Sequence, residues 1–350
     1  MHSIRWGAEK GMETVSVIVP CRNEVRHIVP FLESLLAQQT GAGIDCEFLI
    51  ADGMSDDGTR EVLAQWQPRF RSLEILDNRA QTVSGGLNAA IRRARGEIII
   101  RMDVHSEYAP DYIQQCVAAL KRTGADNVGG PALARGASYT QKAICVAYRS
   151  RFGCGGARFH DPNYEGYVDT VTYGCWKRST LERLGGFDEE LVRNQDDELN
   201  LRIVRSGGKI WQTPLIRSWY SPRSSLNALA RQYGQYGYWK VRVMQKHRIP
   251  ASWRHLAPGA FAAMLLILAV GSLFSSLSAW ILIAMLSVYL LAGAAAALVA
   301  CREPGNFVLL PIMPLVFATY HFSYGAGFLR GLCDLTMRRK PARAFTALVR

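Results

Sequence analysis

The sequence predicts an α/β fold: a mostly parallel sheet with helices on both faces, followed by C-terminal transmembrane helices. Three observations predict it. Short β-branched runs alternate with helix-period segments in the N-terminal part of the chain. Polar, glycine-bearing loops follow those runs at their carboxyl ends. Charge then all but disappears between residues 256 and 300.

The elements follow in order. "TVSVIVP" (14–20) reads as the first strand, and a helix pattern covers 25–39. "EFLIAD" (47–52) is the second strand, followed by "GMSDDGT" and a helix over 60–66. Residues 73–76 form a third strand and 84–94 a third helix. "EIIIRM" (97–102) reads as a strand buried on both faces, with a helix over 111–122 behind it. This alternation makes a parallel, Rossmann-like sheet, which binds ligands beyond the carboxyl ends of its strands. The loops at those ends are "PCRNE" (20–24), "DGMSDDG" (52–58) and "DVH" (103–105), so acidic and amide groups converge on one edge. Asp, Asn and Gly also favour ordinary turns. A buried strand, however, has no structural need to end on Asp103 and His105.

No GxGxxG follows the first strand and no GxxxxGK[ST] occurs, so backbone amides facing a pyrophosphate are not on offer. Carboxylates repel a diphosphate unless a divalent cation lies between. Asp103 and His105 therefore read as a perch for Mn²⁺ or Mg²⁺.

The segments "VSVIVPCRNE", "IADGMSDDGT", "GGLNAAIRRARGEIIIRMDVH" and "GGFDEELVRNQDDELNLRIVRSG" together resemble the family 2 inverting glycosyltransferases of GT-A fold, over residues 15–205. With its apolar C-terminus the chain looks most like bacterial exopolysaccharide transferases of the succinoglycan type. The resemblance implies a UDP-sugar donor, glucose as the sugar moved, and a lipid-linked saccharide acceptor. It also implies roles by position. Pro20, Asn23 and Glu24 would line the nucleotide pocket, Asp52 would hydrogen-bond the uracil, Asp103 would reach ribose and metal, and His105 would bind the metal. Asp196 would be the general base. The family has Glu before this residue and here stands Gln195, but the register Asp196, Glu198, Leu199, Arg202 favours Asp196 over Asp197. The chemistry agrees: inversion needs one base to deprotonate the attacking hydroxyl and no covalent nucleophile. The same acidic turn also suits a helix N-terminus.

Other segments keep two readings each. Trp176 stacks on a sugar or packs in the core. Residues 153–170 close over the donor or make a surface excursion. Residues 229–248 are an interfacial belt of Tyr, Trp and Lys, or a variant of the Q-x-x-R-W motif of processive synthases in which Gln235, Tyr238 and Trp239 keep the spacing but Tyr replaces Arg.

Residues 256–274 and 279–300 are each long enough to cross a bilayer, with "SSLS" (275–278) as the turn of a hairpin. The third apolar stretch, 307–329, spans, re-enters or lies in the interface. Net charge is +12. The basic residues crowd the membrane flanks: Lys240, Arg242, Lys246, Arg248 and Arg254 before the hairpin, and Arg330, Arg338, Arg339, Lys340, Arg343 and Arg350 after the third stretch. Positive flanks favour the cytoplasmic side. Membrane lipids and a phosphorylated donor explain the charge, and no nucleic-acid-binding pattern is present. Eight cysteines without CxxC pairs, and an N-terminus without an apolar core, suit a reduced cytoplasmic domain.

The expected plan is a transferase domain over 1–225, an amphipathic interfacial helix over 226–255, a membrane segment over 256–330 and a basic tail over 331–350. The whole would sit in the bacterial inner (cell) membrane as a multi-pass protein with its catalytic domain cytoplasmic. A processive polysaccharide synthase and a non-catalytic membrane scaffold are the competing readings.

Overall fold

A computed structural model describes residues 12–41, 43–250 and 252–346. The stretch before Met12, on which the missing-leader expectation rests, and Arg350 of the basic tail lie outside the described residues.

The chain begins with β1 (Glu13–Cys21), α1 (Ile28–Leu36), β2 (Ile44–Asp52), α2 (Thr59–Trp66), β3 (Leu73–Asp77), α3 (Val83–Arg93), β4 (Ile98–Arg101), β5 (Ser106–Tyr108) and α4 (Tyr112–Thr123). Next come β6 (Asn127–Gly130), β7 (Leu133–Ala134), α5 (Tyr139–Arg149), α6 (Arg151–Cys154), β8 (Gly166–Tyr167), β9 (Thr172–Lys177) and α7 (Arg178–Leu184). It closes with α8 (Gln195–Arg205), β10 (Ile210–Gln212), β11 (Ser218–Tyr220), α9 (Leu226–His247), α10 (Ala257–Gly271), α11 (Ser276–Ala300), α12 (Met313–Thr336) and α13 (Arg343–Thr346).

Contacts divide the chain into two compact units. The first holds the chain up to Gly130 with Glu165–Phe187 and Arg202–Ser218. The second holds Pro131–Tyr164, Asp188–Leu201 and the chain from Trp219 onward. This is not the linear boundary expected at residue 225. Ala143, Ile144 and Ala147 of α5 share a hydrophobic core with Met313, Val316, Phe317 and Tyr320 of α12, which draws α5 to the C-terminal helices.

The first unit is an eight-stranded sheet in the order β3-β2-β1-β4-β9-β6-β10-β8. β1 pairs in parallel with β2 and β4, β2 with β3, and β6 with β10. β9 runs antiparallel to both its neighbours, β4 and β6. Val15, Val17 and Val19 of β1 face one side and pack with Phe31 and Leu32 of α1 and Ile113 and Val117 of α4. Ile18, Leu49 and Ile99, on the alternate face, are equally buried, and α3 packs on β1 and β2. Burial on both faces explains the unbroken apolar runs. The chain steps outward from β1 to β3 and returns to β4 on the other side of β1, so the strand order reverses between β1 and β4. Loops leaving the carboxyl ends of those strands part there and leave a crevice.

The second unit is helical. Trp253–Gly271 and Ser276–Ala300 run 19 and 25 residues at mean hydropathies of 1.5 and 2.4, long and apolar enough to cross a bilayer. Their apolar side chains face outward: Leu266, Ile267, Leu290 and Leu291 are all more than 60% exposed, which no soluble core helix tolerates. The turn between them is residues 272–275, just before the expected one. Exposed Trp253 and Trp280 lie near the starts of the two helices and so at opposite ends of the pair, as interfacial anchors do.

The third apolar stretch opens with a 3-10 turn at Phe307–Leu309 and continues from Met313 as the helix α12. Pro314 sits in the first turn of α12, where a missing N–H costs nothing. Its glycines serve packing on α9: a Cβ on Gly327 would fall 1.9 Å from the carbonyl oxygen of Gly234, and one on Gly237 would fall 2.1 Å from that of Tyr324. Small residues let the two backbones touch. The aromatic face of α9 expected at the membrane interface is turned inward instead. Tyr238 and Trp239 are buried, with Tyr238 stacked on Phe345.

Gly327→Ala is expected to destabilise the protein by about 1–3 kcal/mol through overpacking. Gly293→Ala, whose Cβ meets only Phe152 at ordinary contact distance, is expected to have no effect. Thermal unfolding in detergent, followed by intrinsic fluorescence, checks the pair.

Candidate active site

The site of the first unit is built at the carboxyl edge of β1, β2 and β4. β1 ends at Cys21, and Asn23 takes a left-handed conformation at φ 53°, which Asn tolerates better than most residues. The loops after β1 and β2 then lace together. The Asn23 N–H donates to Ser55 Oγ at 2.7 Å, the Asp56 N–H to Asn23 Oδ1 at 3.0 Å, and the Glu24 N–H to Thr59 Oγ1 at 2.7 Å. Asp57 accepts from the Val25 N–H and from the hydroxyl and N–H of Thr59. Burial pushes the Asp57 carboxyl up, but these donors outweigh it and leave the group below its ordinary range. Pro20 is half-buried at the end of β1, paired with Ala51.

Asp52 is fully buried. Its carboxylate accepts from the N–H and hydroxyl of Ser55 and from Arg60 at 3.2 Å, and Arg60 also bridges Asp77 at 2.7 Å. Asp52 thus orients the loop. The exposed carboxylates of the segment are Asp56 and Asp57, not the one expected to meet a base.

At the end of β4, Asp103 accepts two hydrogen bonds from Arg101, at 3.0 and 2.9 Å. Arg101 is buried, so Asp103 neutralises a charge that has no access to water. The Asp103 N–H donates to the Tyr108 hydroxyl at 2.6 Å, which fixes the turn. Two residues on, His105 is 52% exposed and its Nε2 lies 2.9 Å from Oε2 of the buried Glu24. His27 completes this group: ligand atoms of Glu24, His27 and His105 all lie within 4.8 Å of one another. His27 is absent from the sequence-based set. Its only signal is its place three residues after Glu24 in the turn entering α1.

Trp176 does not meet a sugar. It is 1% exposed in β9, edge-on to Phe187 and beneath the backbone of Gly174. Gly186 admits the side chain of Asn88, which donates to the Phe187 carbonyl and accepts its N–H, both at 2.8 Å. Residues 153–170 contain the end of α6, a short 3-10 turn and β8, and so are more structured than a bare loop.

The second unit carries the acidic turn. Asn194 is left-handed at φ 63°, and Asp196, Asp197 and Glu198 fill the first turn of α8, where carboxylates favour the helix dipole. α9 holds this turn. Lys240 Nζ lies 2.5 Å from Asp197 Oδ2, His247 Nε2 lies 2.8 Å from Glu198 Oε1, and Lys246 bridges Asp188. Lys240 is therefore buried and paired rather than part of a basic membrane flank. Burial raises the Asp197 carboxyl and the Lys240 ammonium overrides it, so Asp197 titrates below its ordinary range and is a poor proton acceptor. Asp196, half-buried, points about 100° away around the helix. Gln235, Tyr238 and Trp239 make no open motif. Gln235 donates to the Ala344 carbonyl and Trp239 to that of Phe345, fastening α13.

Residues 16–179 match the family model described as Glycosyl transferase family 2. The chain is 30% identical over 331 residues to the succinoglycan biosynthesis protein ExoA of Rhizobium meliloti (strain 1021), a match covering 92% of this chain and 96% of that one. This chain belongs to the family 2 glycosyltransferases. The transferase is also 27% identical, over 92% of its length and 98% of the relative, to dolichyl N-acetyl-alpha-D-glucosaminyl phosphate 3-beta-D-2,3-diacetamido-2,3-dideoxy-beta-D-glucuronosyltransferase of Methanococcus voltae. Its fold resembles that of mannosyltransferase PcManGT from Pyrobaculum calidifontis, solved in complex with GDP-Man and Mn²⁺. The TM-score is 0.63 at 21% identity, over 91% of this chain and 87% of that one. The enzyme reading thus holds over the scaffold, and the GT-A architecture is as expected.

Asp197→Asn leaves Lys240 buried without its counter-charge. We expect a loss of about 2–3 kcal/mol, less than for a fully enclosed pair because Asp197 is a third exposed. Because the Asp197 pKa is lowered on folding, its contribution is present above the unfolded carboxylate pKa and fades as pH falls through the folded one. Asp197→Asn should therefore flatten the acid limb of the stability–pH curve. Chemical denaturation in detergent across acid to neutral pH checks both effects.

Proposed function

We propose that this transferase moves a hexose, glucose by preference, from a UDP-sugar to a lipid-linked saccharide at a membrane, with inversion, in exopolysaccharide assembly. The near end-to-end match to the succinoglycan protein carries the reading. The two outward-facing apolar helices support a lipid-borne acceptor. Two such helices among the described residues are few for a polymer channel, which favours a single addition over processive synthesis.

The residues divide the work. Asn23 and Glu24, laced to the loop after β2, shape the nucleotide end of the crevice between β1 and β4, with Pro20 at its edge. The donor set at the end of β4 fits a divalent cation: Asp103 offers a carboxylate 27% exposed and His105 an imidazole 52% exposed. When bound, Mn²⁺ or Mg²⁺ would neutralise the diphosphate leaving group. Asp196 takes the proton from the acceptor hydroxyl as its oxygen attacks the anomeric carbon and the bond to the diphosphate breaks. Lys240 keeps Asp197 ionised and a poor proton acceptor.

Asp196→Asn is expected to cut turnover by about 10²–10⁴ with donor affinity little changed. UDP release from candidate UDP-sugars, with lipid extract and with or without Mn²⁺, is the assay. Normal turnover in this variant would remove the base assignment, and no UDP release from any donor would remove the donor class. We also place the transferase domain and residues 301–306 on the cytoplasmic face and the 272–275 turn on the other. A cysteine replacing Ser276 should label from outside intact cells, and labelling only from inside would reverse the topology.

A further inference from the structure

We propose that Glu24, His27 and His105 form a binding site for a borderline transition cation, Zn²⁺ above all, whose filling inhibits sugar transfer. The three side chains come from the two loops that follow the neighbouring parallel strands β1 and β4. Glu24 and His27 stand in the turn between β1 and α1, and His105 follows β4.

The turn is fixed. The Glu24 N–H is held by Thr59 Oγ1, and the Glu24 carbonyl accepts the N–H groups of His27 and Ile28, both at 2.8 Å. Glu24 is buried with its carboxylate aimed at His105, while both imidazoles reach solvent. The two rings lie 5.2 Å apart at 48°. One ligand atom from each residue lies within 4.8 Å of those of the other two, so small rotations of exposed rings bring all three onto one ion.

The donor set decides the metal. Two imidazoles and a carboxylate with a remaining position for water are the ligands of open zinc sites. Nitrogen-bearing sites prefer late divalent metals, and affinity rises from Mn²⁺ towards Cu²⁺ with Zn²⁺ far above Mn²⁺. Two imidazoles disfavour Mg²⁺, which prefers an all-oxygen set. The site differs from the perch at the donor diphosphate: it lacks Asp103, which Arg101 engages, and it adds His27. The two sets share His105. A zinc ion on Glu24 and His27 draws His105 away from Asp103 and takes Glu24 from the nucleotide crevice. The inhibitory half of the proposal rests on the donor-site reading given above, whereas the binding half does not.

Co²⁺ is the probe, added to the full-length protein in detergent without donor. The wild type should develop the visible d–d bands of a low-coordinate nitrogen-bearing site at one equivalent, and Zn²⁺ should abolish them. His27→Ala, an exposed change outside the transfer machinery, should weaken this binding by at least about tenfold. It should raise the Zn²⁺ concentration that half-inhibits UDP release by a similar factor at saturating Mn²⁺, with uninhibited turnover unchanged. Unaltered Co²⁺ bands in His27→Ala overturn the site. Lost bands with equal zinc inhibition of both proteins overturn the inhibitory role. If His105→Ala loses the Co²⁺ bands yet transfers sugar normally across a Mn²⁺ titration, the new site stands and the donor-metal role of His105 falls.

Discussion

β1 is hydrogen-bonded to β2 on one side and to β4 on the other, and everything at the donor edge depends on that placement. Because both neighbours run parallel to it, the three strands deliver their carboxyl ends to one edge. Because β2 and β4 flank it, the loops after β1 and β4 leave in different directions. The loop after β1 is then free to bind sideways into the loop after β2, through Ser55, Thr59 and Asp57. It leaves Glu24 and His27 close to His105. A sheet with β1 at its edge would have no such crevice, however many acidic residues followed its strands.

The second unit solves a different problem. It must hold a turn of three consecutive acids, and like charges at that spacing repel. α9 meets it from one face, with the Lys240 ammonium on Asp197 and His247 in hydrogen-bond contact with Glu198. α9 is itself seated on α12 through glycine contacts that bring backbone against backbone. The acidic turn is therefore referenced to α12, which also packs on α10. Within this unit, a change in how α12 sits would be felt at α8 through two short polar contacts rather than through a flexible linker.

The first half of the fold was legible because its signals are local. β-branched runs, helix periods and turn residues put β1 through β4 and their helices within a turn of where they lie. The antiparallel insertion of β9 between β4 and β6 was not legible, since pairing across such a separation leaves no periodic trace. That insertion is what buries Trp176: on a strand in mid-sheet, a tryptophan with two open readings becomes core. The same limit applies to α12. Pro314 begins the helix, and Gly327 and Gly331 face the backbone of α9. At the site, residue type and strand-end position found Asp103, His105 and Glu24. They could not find His27 or Lys240, whose importance lies in which distant side chain each one meets.

Partnership also changes what an acidic motif means. Asp52, Asp103 and Asp197 were conspicuous as carboxylates in loops or at a helix start. Each has a cation from its own chain: Arg60, Arg101 and Lys240. Two of those cations, Arg101 and Lys240, are almost wholly enclosed, so their partners cannot be spared without leaving a buried charge. Such a carboxylate is committed before any ligand arrives. A metal at Asp103 must share its oxygens with Arg101, whereas one at Glu24 meets a carboxylate whose named partner is an imidazole, itself a ligand. The competition between cations at this edge is thus set by the arginine next to Asp103 as much as by the metal-binding residues themselves.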